Sequence, residues 1–153
     1  MTSQPTGTVT FLFTDIEGSA RLWDTQSQQM ADAVEIHDRL VRESVAAQGG
    51  HVFSTAGDSF TAAFHRPAEG LAAAIDAQLA LEGQQWPGDL RLRVRMALHS
   101  GVAAERNGDY FGPALNRGAQ LLTLAAGGQV LLTGAGSDCL TSKGSSSVSG
   151  RRC

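Results

Sequence analysis

"TVTFLFTDIEGSA", residues 8–20, is an alternating apolar run that breaks off into an acid, a second acid, a glycine and a serine. Val9, Phe11 and Phe13 fall on one face and Thr8, Thr10, Leu12 and Thr14 on the other, a period of two that predicts a strand with at least one buried face. The run ends on Asp15, with Glu17 two residues later. Such a strand either passes into a polar turn or presents its carboxylates at a sheet edge to something positively charged.

The same punctuation continues downstream. Ser27 is placed to cap a long helix carrying Met30, Val34, Val41 and Val45 on one side, which Gly49-Gly50 stops. "HVFST" (51–55) and "SFTAAF" (59–64) flank Ala56-Gly57-Asp58, which reads as a tight hairpin with an acid at its tip. Pro67 suits the first turn of an alanine-rich helix with Leu71, Ile75 and Leu79 at spacing four. Leu90, Leu92, Val94, Met96 and Leu98 then alternate with Arg91, Arg93, Arg95, Ala97 and His99, predicting a strand with one core face and one positive face. After the turn "AERNGD", Pro113 opens a helix to about Ala126, and Gly127-Gly128 precedes a last apolar run, "QVLL" (129–132).

In order these are strand, helix, strand, strand, helix, strand, with a helix and strand appended. That is an α+β, ferredoxin-like βαββαβ core: an antiparallel sheet covered by helices. Residues 1–7 form an N-terminal extension and 8–132 the domain, one hydrophobic core being all that 153 residues comfortably bury. The serine-rich stretch 133–153 has almost no large apolar side chains and is expected to stay disordered, because it cannot offset its ordering entropy.

Composition removes several classes of function. A net charge of -3 gives no basic footprint for nucleic acid. No stretch reaches the roughly 18 uninterrupted apolar residues of a spanning helix, and the N-terminus lacks the blocks of a signal peptide, so the expectation is a cytoplasmic protein with no membrane partner. Cys139 and Cys153 lie outside the domain and are no disulfide framework for it, and His37, His51, His65 and His99 match no metal-ligand spacing.

The topology gives the acids a meaning. The strand opened by the hairpin runs antiparallel beside the first strand, so Asp58, at its beginning, comes next to Asp15, at the end of the other. Two carboxylates that close repel unless one is protonated or a cation lies between them. Hard oxygen donors suit Mg²⁺, which keeps few protein ligands and shares its octahedron with phosphates. The loop Glu17-Gly18-Ser19-Ala20 then enters a short helix, whose first amides are suited to an anion. Metal and amides together imply a phosphate ligand.

"FLFTDIEGS", "TAGDSF", "RVRMALHSG" and "GDYFGPALNRGAQLL", in that order, closely resemble the catalytic domain of class III nucleotidyl cyclases, the bacterial adenylate cyclase branch in particular, over residues 8 to about 132. The resemblance implies a head-to-tail homodimer with active sites at the subunit interface, converting ATP or GTP to the 3′,5′-cyclic monophosphate and pyrophosphate with two Mg²⁺ or Mn²⁺ ions. It implies metal binding by Asp15, Asp58 and the backbone carbonyl of Ile16, and phosphate binding by Arg95. It implies contact of Asp109 with the adenine amino group and orientation of the ribose by Asn116.

Three departures from that family pattern bear on activity. The transition-state arginine one helical turn after Asn116 is Gln120; such arginines are worth roughly 10³ to 10⁵ in rate in phosphoryl transfer. Arg117 is close in sequence but lies off that helical face. The base-reading lysine is Ser54, and the only lysine in the chain is Lys143. Beyond "GGQVLL" the family continues into a hairpin that helps hold pyrophosphate, which residues 133–153 do not resemble. The expectation is a weakly active cyclase; the alternative is a catalytically deficient pseudo-cyclase that binds nucleotide or dimerises. "FLFTDIEGS" also resembles the strand and acids of haloacid dehalogenase-type phosphatases, but the second acid is Glu17 and the lysine those enzymes need is missing from 8–132, which ranks that reading below both.

Overall fold

The opening run forms a strand, β1 (Gly7–Ile16), in a computed structural model that describes residues 4–134 and 148–150. After it come α1 (Ser19–Thr25), α2 (Ser27–Ala47), β2 (His51–Ala56), β3 (Ser59–Phe64), α3 (Pro67–Gly83), β4 (Val94–Arg106), β5 (Asp109–Phe111), α4 (Pro113–Leu122), β6 (Val130–Gly134) and β7 (Val148–Gly150). The sheet order is β2-β3-β1-β4-β6-β7, with β5 paired to β4 off that path. β1 is antiparallel to both β3 and β4, and β6 joins parallel to β4. This is the expected α+β, ferredoxin-like core with its added helix and strand.

Of the stretch expected to be disordered, Thr133 and Gly134 continue β6, and Val148–Gly150 pairs parallel to it as β7. Residues 135–147 and 151–153, Cys139 and Cys153 among them, lie outside the described residues. No helix of the described residues is long and apolar enough to cross a membrane.

Helices cover both faces of the sheet. On one, α2 and α3 close over Leu12, Ile16, Phe60, Ala62, Phe64, Met96 and Leu98; on the other, α4 and β5 close over Val9, Phe11, Phe13, Ala63, Ala97 and Leu131. Each large side chain so buried stabilises the fold by about 1.5–3 kcal/mol. The second layer corrects the expectation of a positive strand face: beyond Arg95, the alternate residues Ala97 and His99 are buried.

Five local expectations are also corrected. Residues 90–93 bury Leu90 and Leu92 as the alternation predicts but form no strand, because β1 ends opposite Val94 and β6 begins opposite Met96, leaving no ladder partner. At its other end β4 runs to Arg106 and returns as β5 through Asn107-Gly108, both at positive φ (54° and 88°), the two-residue turn that Asn-Gly favours. α3 buries Gly70, Ala73, Ala74, Ala77 and Leu81 and leaves Leu79 exposed, since only small residues let it approach the sheet, where Gly70 faces Thr10 and Leu98. Ser27 is no cap: α1 runs almost directly into α2, so Gln26 holds the cap position. α4 itself stops at Leu122, and the amides of Thr123, Leu124 and Ala125 that follow bond three residues back rather than four.

α4 meets the sheet through its smallest residues. Gly118 lies against the ring of Phe13, and Ala114 against Gly101. A Cβ at Gly118 would overlap that buried ring, so Gly118→Ala is expected to lose about 1–3 kcal/mol by overpacking, outweighing the gain of about 1 kcal/mol in helix propensity. Urea unfolding checks this, with partial recovery when Phe13→Leu is added.

Candidate active site

The register of β1 builds the acidic edge. Its odd-numbered residues share the α4 face, so Asp15 follows Phe13 there and stands across from Arg95 of β4. The Arg95 guanidinium grips it with both arms: Nε donates to Oδ1 at 2.6 Å and Nη2 to Oδ2. The side chains are 18% exposed for Asp15 and 27% for Arg95. Beside them, Thr14 pairs with Phe60, and continuing that register brings Asp58 opposite Ile16. Asp58 Oδ2 accepts the Ile16 amide N–H at 2.9 Å. Two acids from distant stretches therefore meet at one edge, as the topology predicts.

Arg95 is held more firmly protonated than an ordinary arginine, first by its hydrogen bond to Asp15, against the effect of burial, with the fields of Asp15, Glu17 and Asp58 adding to it. Glu17, a prominent acid of the opening motif, has a fastening role: its amide donates to the Arg93 carbonyl at 2.8 Å and its Oε1 accepts from Gly127 N–H at 3.2 Å. That joins the end of β1 to the loop before β6. Gly18, at φ 67°, precedes α1, so Ser19 and Ala20 occupy its first turn.

Among the described residues no three His, Cys, Asp or Glu side chains cluster as a complete metal cage. The donor chemistry nevertheless fits a Mg²⁺- or Mn²⁺-type ion that takes two carboxylates, Asp15 and Asp58, and leaves its other positions to phosphate oxygens.

The remaining expected residues form a second set. Phe53 of β2 packs edge-on to Tyr110 of β5, with centroids 4.7 Å apart, and Phe11 joins both. Tyr110 hydroxyl donates to the Pro5 carbonyl, and burial raises its pKa. This cluster brings β5 close to β2, with Ser54 and Asp109, each next to a clustered ring, exposed. Asn116 and Gln120 lie one turn apart and exposed on α4, away from its buried Ala114, Gly118 and Leu121. Arg117 instead lines a cavity of about 300 Å³ with His99, Gly101 and Pro113, off the Asn116–Gln120 face. No hydrogen bond or ion pair among the described residues joins this set to the acidic edge. The Asp15–Arg95 pairing and the Glu17 link to Gly127 escape sequence reasoning; the alternation around Arg95 signals its face but not its partner.

The family model for the adenylate and guanylate cyclase catalytic domain matches residues 1–152, running past the limits of 8 and 132 drawn from the motifs. The chain belongs to that family. An uncharacterized protein of Mycobacterium tuberculosis is 40% identical over 141 residues, covering 91% of this chain and 47% of that protein. The adenylate cyclase of Lachancea kluyveri is 31% identical over 84% of this chain and 8% of its own length. The chain thus spans about half or less of these curated relatives. In three dimensions it resembles a Trypanosoma brucei adenylate cyclase solved in its monomeric state, with TM-score 0.80 and 29% identity over 86% of this chain and 75% of that one. The catalytic core of a rhodopsin-guanylyl cyclase in complex with ATPαS shares the fold, at TM-score 0.75 and 16% identity over 84% and 78% of the two chains.

His99 supplies a pH test of the packing behind this site. Its Nδ1 bonds Thr133 Oγ1 at 3.0 Å, and burial first, then the charge of Arg117, pushes its pKa below the ordinary 6.5. The folded state therefore favours the neutral ring. The stabilisation is fully present above the unfolded value near 6.5 and is lost as pH falls through the lowered folded value. His99→Gln should reduce the drop in unfolding free energy between about pH 8 and pH 5; equal drops in the two chains would count against the assignment.

Proposed function

We propose that this domain is a class III adenylate cyclase of low activity, acting on ATP as a cytoplasmic, head-to-tail homodimer with two Mg²⁺ or Mn²⁺ ions. The observation that carries the reading is the meeting of Asp15 and Asp58 at one sheet edge, beside Arg95, in a chain of the cyclase family. The second residue set, exposed on β2, β5 and α4, suits a site that two copies of the chain complete together.

In this mechanism the ribose 3′-oxygen attacks the α-phosphorus, the bond from that phosphorus to the bridging oxygen breaks, pyrophosphate leaves and the hydroxyl proton passes to solvent. When bound, divalent ions would lower the pKa of the 3′-hydroxyl and neutralise the polyphosphate. Asp15, Asp58 and the Ile16 carbonyl would hold them, while Arg95 and the amides of Gly18, Ser19 and Ala20 hold phosphate oxygens. Asp109 and Ser54 contact the base, Asn116 orients the ribose, and Gln120 offers the oxygens on the reacting phosphorus a hydrogen bond but no charge. Ser54 reaches a purine less far than a lysine, so selection between ATP and GTP is loose.

Gln120 and Ser54 favour a second reading, a pseudo-cyclase that binds nucleotide or dimerises without useful turnover. Cyclic AMP formation with Mn²⁺ at high protein concentration separates the two. Product that disappears in Asp15→Ala supports the first reading, whereas ATP binding without product supports the second. Adding Gln120→Arg and Ser54→Lys together should raise turnover at least about tenfold, on the scale of other transition-state arginines. No gain would count heavily against the residue assignments.

A further inference from the structure

The geometry points to Arg95 as a built-in counter-ion of Asp15 that a divalent cation must displace, so that metal and polyphosphate bind cooperatively by exchanging partners. The inference rests on the metal reading of Asp15 and Asp58 given above. Both Asp15 oxygens are engaged by one guanidinium, Nε on Oδ1 at 2.6 Å and Nη2 on Oδ2. A fork-to-fork pair occupies one lone pair on each oxygen and sets a positive charge against both. A divalent ion placed there without moving Arg95 would set like charges a few ångströms apart in a partly shielded site, where their repulsion far exceeds its value in water.

Charge counting gives the exchange its direction. Asp15, Asp58 and Arg95 together carry one net negative charge, with Glu17 adding to the field on Arg95. A divalent ion alone turns that core positive and leaves the displaced guanidinium without its partner. Polyphosphate oxygens restore the balance, meeting the ion on one side and Arg95 on the other. The Arg95 backbone is pinned in the ladder opposite Asp15, so a guanidinium that leaves Asp15 stays within one side chain's length of it, close to an anion held by the same ion. Asp58 needs no such exchange, since its Oδ2 accepts a backbone amide and its bond is compatible with a cation on the other oxygen. Linkage makes the coupling reciprocal: polyphosphate tightens metal binding by the factor by which metal tightens polyphosphate.

The test measures Mn²⁺ alone, with no nucleotide, from the free-ion electron paramagnetic resonance signal of the full chain and its variants. Arg95→Gln should bind Mn²⁺ about tenfold or more tightly than the unmutated chain, because the competitor is gone, and Arg95→Lys, which keeps the charge but not the fork, should fall between. Asp15→Asn should weaken binding. Unchanged or weaker binding in Arg95→Gln, with Asp15→Asn still weakened, overturns the exchange and leaves the metal reading standing. Binding unaffected by Asp15→Asn overturns both. A readout free of mutation guards against misfolded variants: the Nε–H proton resonance of Arg95 in the unmutated chain should shift or exchange faster on titration with Mg²⁺. An unmoved resonance at saturating Mg²⁺ refutes the displacement.

Discussion

The register of β1 is the constraint on which the site depends. β1 is paired along both edges, from Gly7 opposite Ala103 to Ile16 opposite Val94 on one side and from Thr10 opposite Phe64 to Thr14 opposite Phe60 on the other. A slip of one residue would turn Phe11 and Phe13 out of the α4 layer and Leu12 and Ile16 out of the α2–α3 layer. Cores on both faces therefore penalise the slip. The same register puts Asp15 beside Arg95 and, continued on the other side, Ile16 beside Asp58. The polar edge is positioned by the apolar packing of its neighbours in the strand.

The second residue set is positioned in the same indirect manner. No hydrogen bond or ion pair among the described residues fixes Asn116 or Gln120 to the acidic edge; their distance from the sheet is set on the opposite side of α4, where Gly118 admits the Phe13 ring and Ala114 meets Gly101. Ser54 and Asp109 stand where they do because Phe53 and Tyr110, their neighbours in sequence, stack on each other and on Phe11. Small residues bring the helix down and aromatic ones bring the hairpin over. The exposed polar positions inherit their placement and are free to face a ligand or a second chain.

Much of this is legible in the sequence because the signals are local. The period-two run of 8–14, the Gly57-Asp58 turn and the prolines at 67 and 113 each mark an element without reference to the rest of the chain, and the order of elements then places Asp15 near Asp58. What is not legible depends on partners. Residues 90–93 alternate as well as any strand, but whether they form one depends on where β1 and β6 end. The burial of Ala97 and His99 depends on α4, which lies further down the chain. Leu79 loses its place in the core to alanines because α3 must come close, a requirement set by the sheet and not by the helix. The β4–β5 hairpin is a different case: Asn107-Gly108 is a strong local signal, but a three-residue returning strand is too short for periodicity to reveal.

The two acids also carry a structural duty, which changes what their presence implies about chemistry. Asp58 satisfies the Ile16 amide at the end of β1, and Asp15 neutralises Arg95 at a partly buried position. Hydrogen bonds to charged groups contribute roughly 1.5–3 kcal/mol when shielded from water, so either acid stabilises the edge when no metal is bound. A chain that only bound nucleotide, or only dimerised, would still benefit from both. Ser54 and Gln120 have no such duty: both are exposed, and among the described residues no side-chain hydrogen bond ties either to the fold. Their identity is dictated by what they face rather than by what they support. In the proposed reading, the chemistry of this domain turns on the uncharged residues at 54 and 120 more than on the acids that make its site recognisable.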